Sequence, residues 1–353
     1  MSPSPTVVYV EEAVAEHART QALLARLPKA RIVPCRHYGE VFNRKAQDFR
    51  LQKRNPAWIL GRKVGQAVLP APPGYGVGGS SNFYFSHMLN CLYDCGYCFL
   101  QGMFRSANYL LFVNYEEIMA AIDRELETVP EGEAWFFSGY DCDSLAAEPL
   151  TGFAEAFLPF FAERPSAWLE LRTKSVQIDA LLAREPLPNC VVAFSFSPSE
   201  VLTSMERGVP SIARRLAAMS RLASRGWRLG LRFDPLIWSA DFAERYERLF
   251  AELFAALPAA GIHSVSTGGF RLPRAFFRRM VKMSPQDRLL AGPLVEREGA
   301  IGYRRELEAE MIAGVTAMLS DYLPAERLFP CLPPPVSVSP SPQPAPSAIT
   351  AGQ

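Results

Sequence analysis

Short apolar runs alternate with longer helical segments from about residue 82 onward, and this alternation limits the fold more than any other feature. The predicted strands are Asn82–Ser86, Ala134–Ser138, Trp168–Thr173, Val191–Phe196, Arg228–Phe233 and His263–Thr267. The predicted helices between them are 150–161, 176–183, 212–225 and 241–257. Strands that alternate with helices of about ten to fifteen residues form a parallel sheet. Six units predict an α/β fold, a partial (β/α)6 barrel that stops short of the eight units of a closed barrel.

The rest of the chain divides into regions around this barrel. Residues 1–75 are expected to form an N-terminal extension of helices and loops, which a Pro- and Gly-rich hinge joins to the barrel. Residues 76–332 are expected to hold the barrel and a C-terminal region that covers its mouth. Residues 333–353 are rich in Pro, Ser and Ala and have no charged side chain, so they are predicted to be disordered.

Composition narrows the classes of protein that fit. The 353 residues are 49% hydrophobic, enough for a large core. No run approaches the roughly 18 to 20 apolar residues of a membrane span, and the N-terminus lacks a secretory signal. A cytoplasmic location without membrane contact is therefore expected. The net charge of +1 leaves any contact with nucleic acid to local patches.

Three cysteines, Cys91, Cys95 and Cys98, stand within eight residues in a C-x3-C-x2-C pattern on the loop after the first predicted barrel strand. A [4Fe-4S] cluster normally takes four thiolates. Three thiolates leave one iron free to hold a small-molecule ligand. Because the carboxyl ends of barrel strands form the mouth, the cluster is expected there.

Zinc binding, disulfide formation and simple burial account for these three cysteines less well. A zinc site needs four ligands, and His87 is the nearest candidate for the fourth. Disulfides are disfavoured because the seven cysteines are odd in number and the chain has no secretory signal. Burial of inert thiols explains scattered residues such as Cys35 and Cys190, but not three thiols on one loop.

Two stretches concentrate positive charge. Seven cations and a single acid lie between Arg44 and Lys63. The second set contains no acid and consists of Arg271, Arg274, Arg278, Arg279 and Lys282. Each stretch is either a solvated helix face or a nucleic-acid surface. Five phosphate contacts would give a log-log salt slope of roughly −4 to −5.

The cysteine loop resembles the radical S-adenosylmethionine (SAM) superfamily, and Cys95–Gln101 is similar to the spore photoproduct lyase family. The resemblance covers residues 7–330. It includes Phe136 through Thr151, Thr173-Lys174, Phe194-Ser195, Glu206 with the Arg215-Leu216-Ala217 helix, Gly226 to Gly230, and Glu306-Leu307-Glu308. It implies a radical SAM barrel of the TIM type.

This resemblance implies specific cofactors. Cys91, Cys95 and Cys98 would hold a [4Fe-4S] cluster whose fourth iron chelates SAM. The cofactor pair would generate a 5′-deoxyadenosyl radical, with an electron donor such as flavodoxin or ferredoxin as a partner. The residues implied in SAM binding are Ser138, Gly139, Lys174 and Ser195.

The family repairs a thymine dimer, with a cysteine that donates hydrogen and two tyrosines that relay the radical. Tyr97 matches one relay tyrosine, whereas Phe99 replaces the other. Tyr140 stands where the donor cysteine belongs, so Cys142, two residues later, is the expected donor. Cys331 is a second candidate. DNA is the expected substrate, and a base lesion would have to be extruded from the duplex to reach the barrel mouth.

Three functions remain open at this point. The first is a radical SAM carbon-carbon lyase that repairs spore photoproduct in DNA. The second is a related radical SAM enzyme that acts on another substrate, which Phe99 and Tyr140 favour. The third is a non-catalytic, metal-stabilised nucleic-acid-binding protein.

Overall fold

Strands and helices alternate along most of the chain in the computed structural model, which describes residues 5–130 and 132–331. The strands in these ranges are β1 (Val7–Glu11), β2 (Arg31–Cys35), β3 (Trp58–Gly61), β4 (Val68–Pro70), β5 (Ser81–Phe85), β6 (Met88–Leu89), β7 (Asp94–Cys95), β8 (Tyr109–Phe112), β9 (Ala134–Phe137), β10 (Ala167–Thr173), β11 (Cys190–Ser195), β12 (Glu206–Arg207), β13 (Arg228–Leu236), β14 (Ile262–Gly269), β15 (Arg271–Pro273), β16 (Leu294–Arg297), β17 (Ala300–Tyr303) and β18 (Leu328–Pro330). The α-helices are α1 (Ala18–Ala25), α2 (Phe49–Arg54), α3 (Leu100–Met103), α4 (Tyr115–Thr128), α5 (Glu148–Thr151), α6 (Phe153–Ala162), α7 (Asp179–Leu182), α8 (Ser199–Met205), α9 (Ile212–Ser224), α10 (Phe242–Ala256), α11 (Arg274–Met283) and α12 (Arg305–Ser320).

Eight strands form the curled central sheet, in the order β18-β14-β13-β11-β10-β9-β5-β4. All neighbouring pairs from β5 to β18 are parallel, and only β4 at one edge is antiparallel. The six predicted barrel strands correspond to β5, β9, β10, β11, β13 and β14. The prediction of an α/β partial barrel is confirmed.

Burial on both faces explains why these strands appear in the sequence as continuous apolar runs. Every residue of β9 and of β11 is buried, as expected for a parallel sheet covered by helices. Helix α9 packs an apolar face with Leu216, Met219 and Leu222 buried. Gly226 follows this helix with φ at +90°, a left-handed conformation that favours glycine, and ends the helix before β13.

Only the second half of the predicted helix over 176–183 forms, as the four residues of α7. The Thr173 hydroxyl accepts a hydrogen bond from Ser175 N at 2.8 Å, and the Ser175 hydroxyl accepts one from Gln177 N at 3.1 Å. These side chains satisfy backbone donors that a helix would otherwise use, and they hold a loop instead.

Residues before the barrel form strands where helices and loops were expected. Strands β1, β2 and β3 are parallel and belong to a second sheet, in the order β2-β1-β3-β8-β6. They are short, and β3 is buried throughout, so no helix-length pattern marks them. Strands β8 and β6 come from beyond residue 75, which means that this sheet draws on both sides of the proposed boundary. The predicted tail, 333–353, lies outside the described residues.

None of the helices in the described ranges combines the length and the apolar character that crossing a membrane requires.

An ion pair lies inside the barrel. The Arg232 guanidinium donates to both carboxylate oxygens of Glu170, at 2.7 and 3.3 Å, and to the Ser264 carbonyl at 2.9 Å. Burial acts to raise the pKa of Glu170, but the guanidiniums of Arg232 and Arg172 outweigh it and lower this pKa to about 2. The pair ties β10 to β13 behind the strand ends that form the site.

Replacing Arg232 with Met should destabilise the protein by about 3 to 5 kcal/mol, because it leaves a buried carboxylate without its main counter-charge. Urea denaturation at neutral pH would measure this. The control is Arg221→Met on the exposed side of α9, which should change the free energy of unfolding by no more than about 0.5 kcal/mol. Equal stability of the two variants would contradict the structural role of the pair.

Candidate functional site

The three cysteines lie on the loop that follows β5, between β6 and α3. Cys95 is part of β7, which pairs with β12 so that Cys95 is opposite Glu206. Asn90 begins the loop with φ at +76°, and its amide donates to the carbonyls of Ser106 and Asn108 at 2.7 and 3.1 Å. These bonds fix the path of the chain into Cys91.

Helix α2 of the N-terminal segment holds the same loop from the other side. Arg50 donates to both Asp94 carboxylate oxygens at 2.9 and 3.0 Å and also contacts the Gln101 side chain. Gln101 in turn donates to the Cys95 carbonyl at 2.6 Å. Lys53 donates to the Cys91 carbonyl at 2.6 Å. Two cations of the first basic stretch, Arg50 and Lys53, therefore bind to the cysteine loop.

All three thiols of the loop are free and at least partly buried. Burial raises the pKa of Cys91 to about 12 and also raises the pKa values of Cys95 and Cys98. The nearby cations Lys53 and Lys174 act in the opposite direction. Because metal ligation requires thiolates, a metal centre bound here would have to overcome these raised pKa values.

The arrangement of donors distinguishes a cluster from a single metal ion. Within residues 5–130 and 132–331, no three His, Cys, Asp or Glu side chains converge on a point where they could hold one ion. The zinc site with His87 is therefore not assembled. A zinc ion would need thiolate sulfurs about 2.3 Å from one centre. In a [4Fe-4S] cluster each cysteine binds a different iron, so three reduced thiols on one loop fit it without converging.

Four residues proposed for SAM lie at the ends of three neighbouring strands, β9, β10 and β11. The Ser138 hydroxyl is 2.8 Å from the Ser144 hydroxyl and donates to the Glu170 carbonyl at 2.9 Å, so it is occupied within the protein. Gly139 packs so closely against Arg172 that an added Cβ would lie 2.8 Å from its carbonyl oxygen. Lys174 directly follows β10, and Ser195 ends β11. All four thus lie at one edge of the sheet.

Asp143 fixes the loop at this edge of the sheet. Its carboxylate accepts hydrogen bonds from the Thr173 hydroxyl and from Lys174 N, both at 2.6 Å. It also accepts bonds from Leu145 N and Ala146 N. Lys174 therefore leaves β10 in a defined direction.

Glu206 is a central residue of the site that sequence reasoning did not assign to it. The buried carboxylate accepts a short hydrogen bond from the Tyr97 hydroxyl and one from Ser197 at 3.0 Å. Lys174 Nζ lies 4.0 Å from its Oε1, and Arg215 lies 3.6 Å from its Oε2. Glu206 follows the polar helix α8, so the local sequence does not indicate that its carboxylate is buried. Only the family resemblance included this residue.

The two predicted tyrosines lie in different surroundings. Lys174 Nζ is 5.6 Å from the centroid of the Tyr97 ring, beside Glu206. Tyr140 belongs to an aromatic group, with its ring centroid 5.4 Å from Phe99 and 4.4 Å from Tyr84. Tyr140 therefore contacts the residue that replaces the second relay tyrosine.

The two donor candidates differ in exposure. Cys142 is 5% exposed, with its sulfur 3.7 Å from the Ser138 carbonyl oxygen and 4.0 Å from His87 Nδ1. Cys331 is partly exposed at the end of β18, and its sulfur accepts a hydrogen bond from Arg271 at 3.0 Å. Cys142 is thus directed into the protein, while Cys331 remains accessible.

Most of the second basic set already has partners. Arg271 bonds Cys331, Arg274 pairs with Glu296 at 2.9 Å, and Arg279 caps α3 through the carbonyls of Gly102 and Met103. Among the described residues, only Arg278 and Lys282 of this set have no partner. Three of the five cations in this proposed nucleic-acid patch therefore also make contacts within the protein.

Residues 79–283 match the family model of spore photoproduct lyase. The chain belongs to the spore photoproduct lyase family. This confirms the resemblance read from the cysteine loop. The matched region contains the three cysteines, Lys174, Ser195 and Cys142. It does not contain Cys331, Lys53 or Arg50, and only the structure shows that Lys53 and Arg50 contact the cysteine loop.

Two curated relatives are similar to parts of the chain. Spore photoproduct lyase of Bacillus subtilis (strain 168) is 27% identical over 189 residues, which are 53% of this chain and 55% of the relative. That of Geobacillus sp. (strain Y412MC61) is 24% identical over 177 residues, 50% of this chain and 52% of the relative. The chain thus spans about half the length of the curated relatives it matches.

Solved structures share the fold over almost the whole chain. A mutant of spore photoproduct lyase with bound AdoMet and dinucleoside spore photoproduct has a TM-score of 0.82 at 18% identity, covering 94% of this chain and 99% of that one. Spore photoproduct lyase complexed with dinucleoside spore photoproduct has a TM-score of 0.81 at 19% identity, with the same coverage. The partial-barrel fold is therefore shared.

His87 should make stability depend on pH. Its buried ring stacks on Phe153 with centroids 3.8 Å apart, and burial lowers its pKa to about 3. Its contribution to stability is complete above the unfolded pKa of about 6.5 and is lost as the pH falls toward 3. Between about pH 7 and about pH 5 this loss amounts to about 2 kcal/mol. His87→Phe keeps the stacking and should lack that loss, as urea denaturation at both pH values would test. Parallel pH dependence in the two proteins would contradict this prediction.

Proposed function

We propose that this protein is a SAM-dependent radical lyase that repairs the spore photoproduct, a thymine dimer of DNA. One observation carries the proposal: a partial barrel places a lysine and a serine at the ends of adjacent strands, and the lysine acts electrostatically on two of the three free thiols of the loop after β5. Membership of the family supports it. So does the likeness to solved lyases whose bound ligands are AdoMet and dinucleoside spore photoproduct.

Different residues would bind the cluster and SAM. Cys91, Cys95 and Cys98 would hold a [4Fe-4S] cluster and leave one iron open. Lys174 would place a point charge against the SAM carboxylate. The Ser195 hydroxyl, which has no hydrogen-bond partner among the described residues, would be available to SAM. When bound, the cluster supplies one electron for the cleavage of SAM, which an electron carrier such as flavodoxin or ferredoxin would replenish.

Tyr140 has a position from which it can serve in place of the missing relay tyrosine. Phe99 has no phenolic hydrogen to give, but its ring lies next to Tyr140. Tyr97 has a hydroxyl group, which donates a hydrogen bond to Glu206. We infer that Tyr97 and Tyr140 are the redox-active pair of this chain.

For the hydrogen donor, burial favours Cys331 over Cys142. A thiol can donate to a substrate radical only where the two come into contact, and Cys142 is covered by the barrel. Cys331 is partly exposed beside Arg271. We propose Cys331 as the donor, with Cys142 as the alternative that the family alignment suggested.

A different substrate is the second candidate function. Phe99 and Tyr140 depart from the family at the positions concerned with hydrogen donation and radical return. These departures favour a related radical SAM enzyme that acts on another lesion or carries out a modification.

The decisive experiment incubates anaerobically reconstituted, reduced protein with SAM and a synthetic dinucleotide spore photoproduct. We expect both 5′-deoxyadenosine and thymine monomers, measured by chromatography. Cys331→Ala should form 5′-deoxyadenosine but lose clean repair, whereas Cys142→Ala should retain it, because Cys331 is the more exposed of the two thiols.

Controls separate the alternatives. Cys95→Ala should lose the visible absorption of the cluster, because one thiolate ligand is missing. If 5′-deoxyadenosine forms from the wild-type protein without thymine monomers, the lyase assignment is wrong and the second function stands. A colourless protein that binds zinc would favour the non-catalytic alternative.

DNA binding should depend on salt through the two unpaired cations of α11, Arg278 and Lys282. Each phosphate contact adds about −0.9 to the log-log salt slope, so replacing both cations with Gln should reduce the slope by about 2. Fluorescence anisotropy with a DNA duplex at several salt concentrations would measure it. Arg274→Gln is the matched control, because Glu296 already pairs with this guanidinium. An unchanged slope in the double variant would remove α11 from the DNA interface.

A further inference from the structure

Helix α2 carries a lysine that contacts the cysteine loop from outside the barrel. Lys53 Nζ donates to the Cys91 carbonyl at 2.6 Å and lies 5.2 Å from the centroid of the Tyr109 ring. Its charge acts on the Cys91, Cys95 and Cys98 thiols together. This lysine comes from the N-terminal segment, outside the region that the family model covers.

The charge of Lys53 is less compensated than those of the other cations around the loop. Arg50, one turn earlier in α2, makes a two-pronged ion pair with Asp94. Lys174 lies 4.0 Å from the Glu206 carboxylate. In the part of the chain that the structure describes, Lys53 makes no salt bridge, since its hydrogen bond is to a neutral carbonyl. Asp94 also acts on this charge, but its carboxylate is already paired with Arg50, so the charge of Lys53 remains available to the cluster site.

We propose that Lys53 is a positioning residue that fixes the Cys91 end of the loop and raises the reduction potential of the cluster. The inference rests on the proposed function, because it requires a cluster on the three cysteines. It assigns to the N-terminal segment a part in the redox chemistry of the barrel.

The direction of the effect follows from the charge added on reduction. One electron from the carrier makes the cluster and its three thiolates more negative by one unit. A partly buried cation stabilises this extra charge more than a solvated one does. Cluster potentials respond to net charge and to solvent exposure. Removing the charge of Lys53 should therefore make the cluster harder to reduce.

The experiment measures the midpoint potential of the reconstituted protein without SAM, by a redox titration followed by electron paramagnetic resonance. Lys53→Met and Lys53→Gln remove the charge, while the Gln amide keeps a donor for the Cys91 carbonyl. Both should lower the ratio of reduced to oxidised cluster at least tenfold at a fixed potential, which equals about 59 mV for a one-electron couple. Lys53→Arg keeps the charge and should remain within threefold of the wild type.

The matched control is Arg54→Met, which removes a charge from the next position of α2. Arg54 is exposed and has no partner among the described residues, so water screens it and the potential should not move. Iron and sulfide content would be measured for every variant. This shows that the potentials refer to equally loaded proteins.

Each outcome decides the proposal. A midpoint potential in Lys53→Gln equal to that of the wild type would overturn it. Loss of the cluster from both neutral variants would overturn the proposed effect on the potential and leave Lys53 with a purely structural role in the loop. If the wild-type protein itself assembles no [4Fe-4S] cluster, the proposed function is wrong. If the wild-type protein holds the cluster and the neutral Lys53 variants have the same midpoint potential, only the inference about Lys53 is wrong.

Discussion

The site depends on one buried carboxylate, Glu206. Burying a carboxylate without partners is costly, and here Tyr97, Ser197, Arg215 and Lys174 surround it. Its backbone pairs with Cys95, so the same residue connects the cysteine loop to the strand ends. The position of Cys95, which is proposed to bind the cluster, and the position of the lysine proposed for SAM are therefore not independent.

Arg215 extends this connection into the barrel. It is fully buried on α9, and its guanidinium donates to the Ser195 carbonyl at 2.5 Å while it faces Glu206. A charge in such a place persists only when it is paired and hydrogen-bonded. Helix α9 thus fixes the end of β11, where Ser195 lies, relative to the cysteine loop. Ionic contacts behind the mouth of the barrel therefore hold the residues of the site in place.

The parallel sheet explains how residues far apart in sequence meet. Residues at the carboxyl ends of adjacent parallel strands lie at one edge by geometry alone. Sequence periodicity was enough to place Lys174 and Ser195 there, because continuous apolar runs mark buried strands. It was not enough for β1, β2 and β3, which are short and precede any clear alternation. Nor did charge composition predict that Arg271, Arg274 and Arg279 already have partners, since pairing depends on which side chains tertiary packing brings near.

The sequence by itself determined the cluster motif, the six barrel units and the family. These depend on local spacing and on periodicity, which a chain carries without being folded. Only the tertiary structure decided that Glu206 joins Tyr97 to Lys174, that Cys142 is buried while Cys331 is accessible, and that Lys53 reaches the cysteine loop. Such contacts join side chains tens or hundreds of residues apart. They are set by how the elements pack, and no local pattern in the chain encodes them.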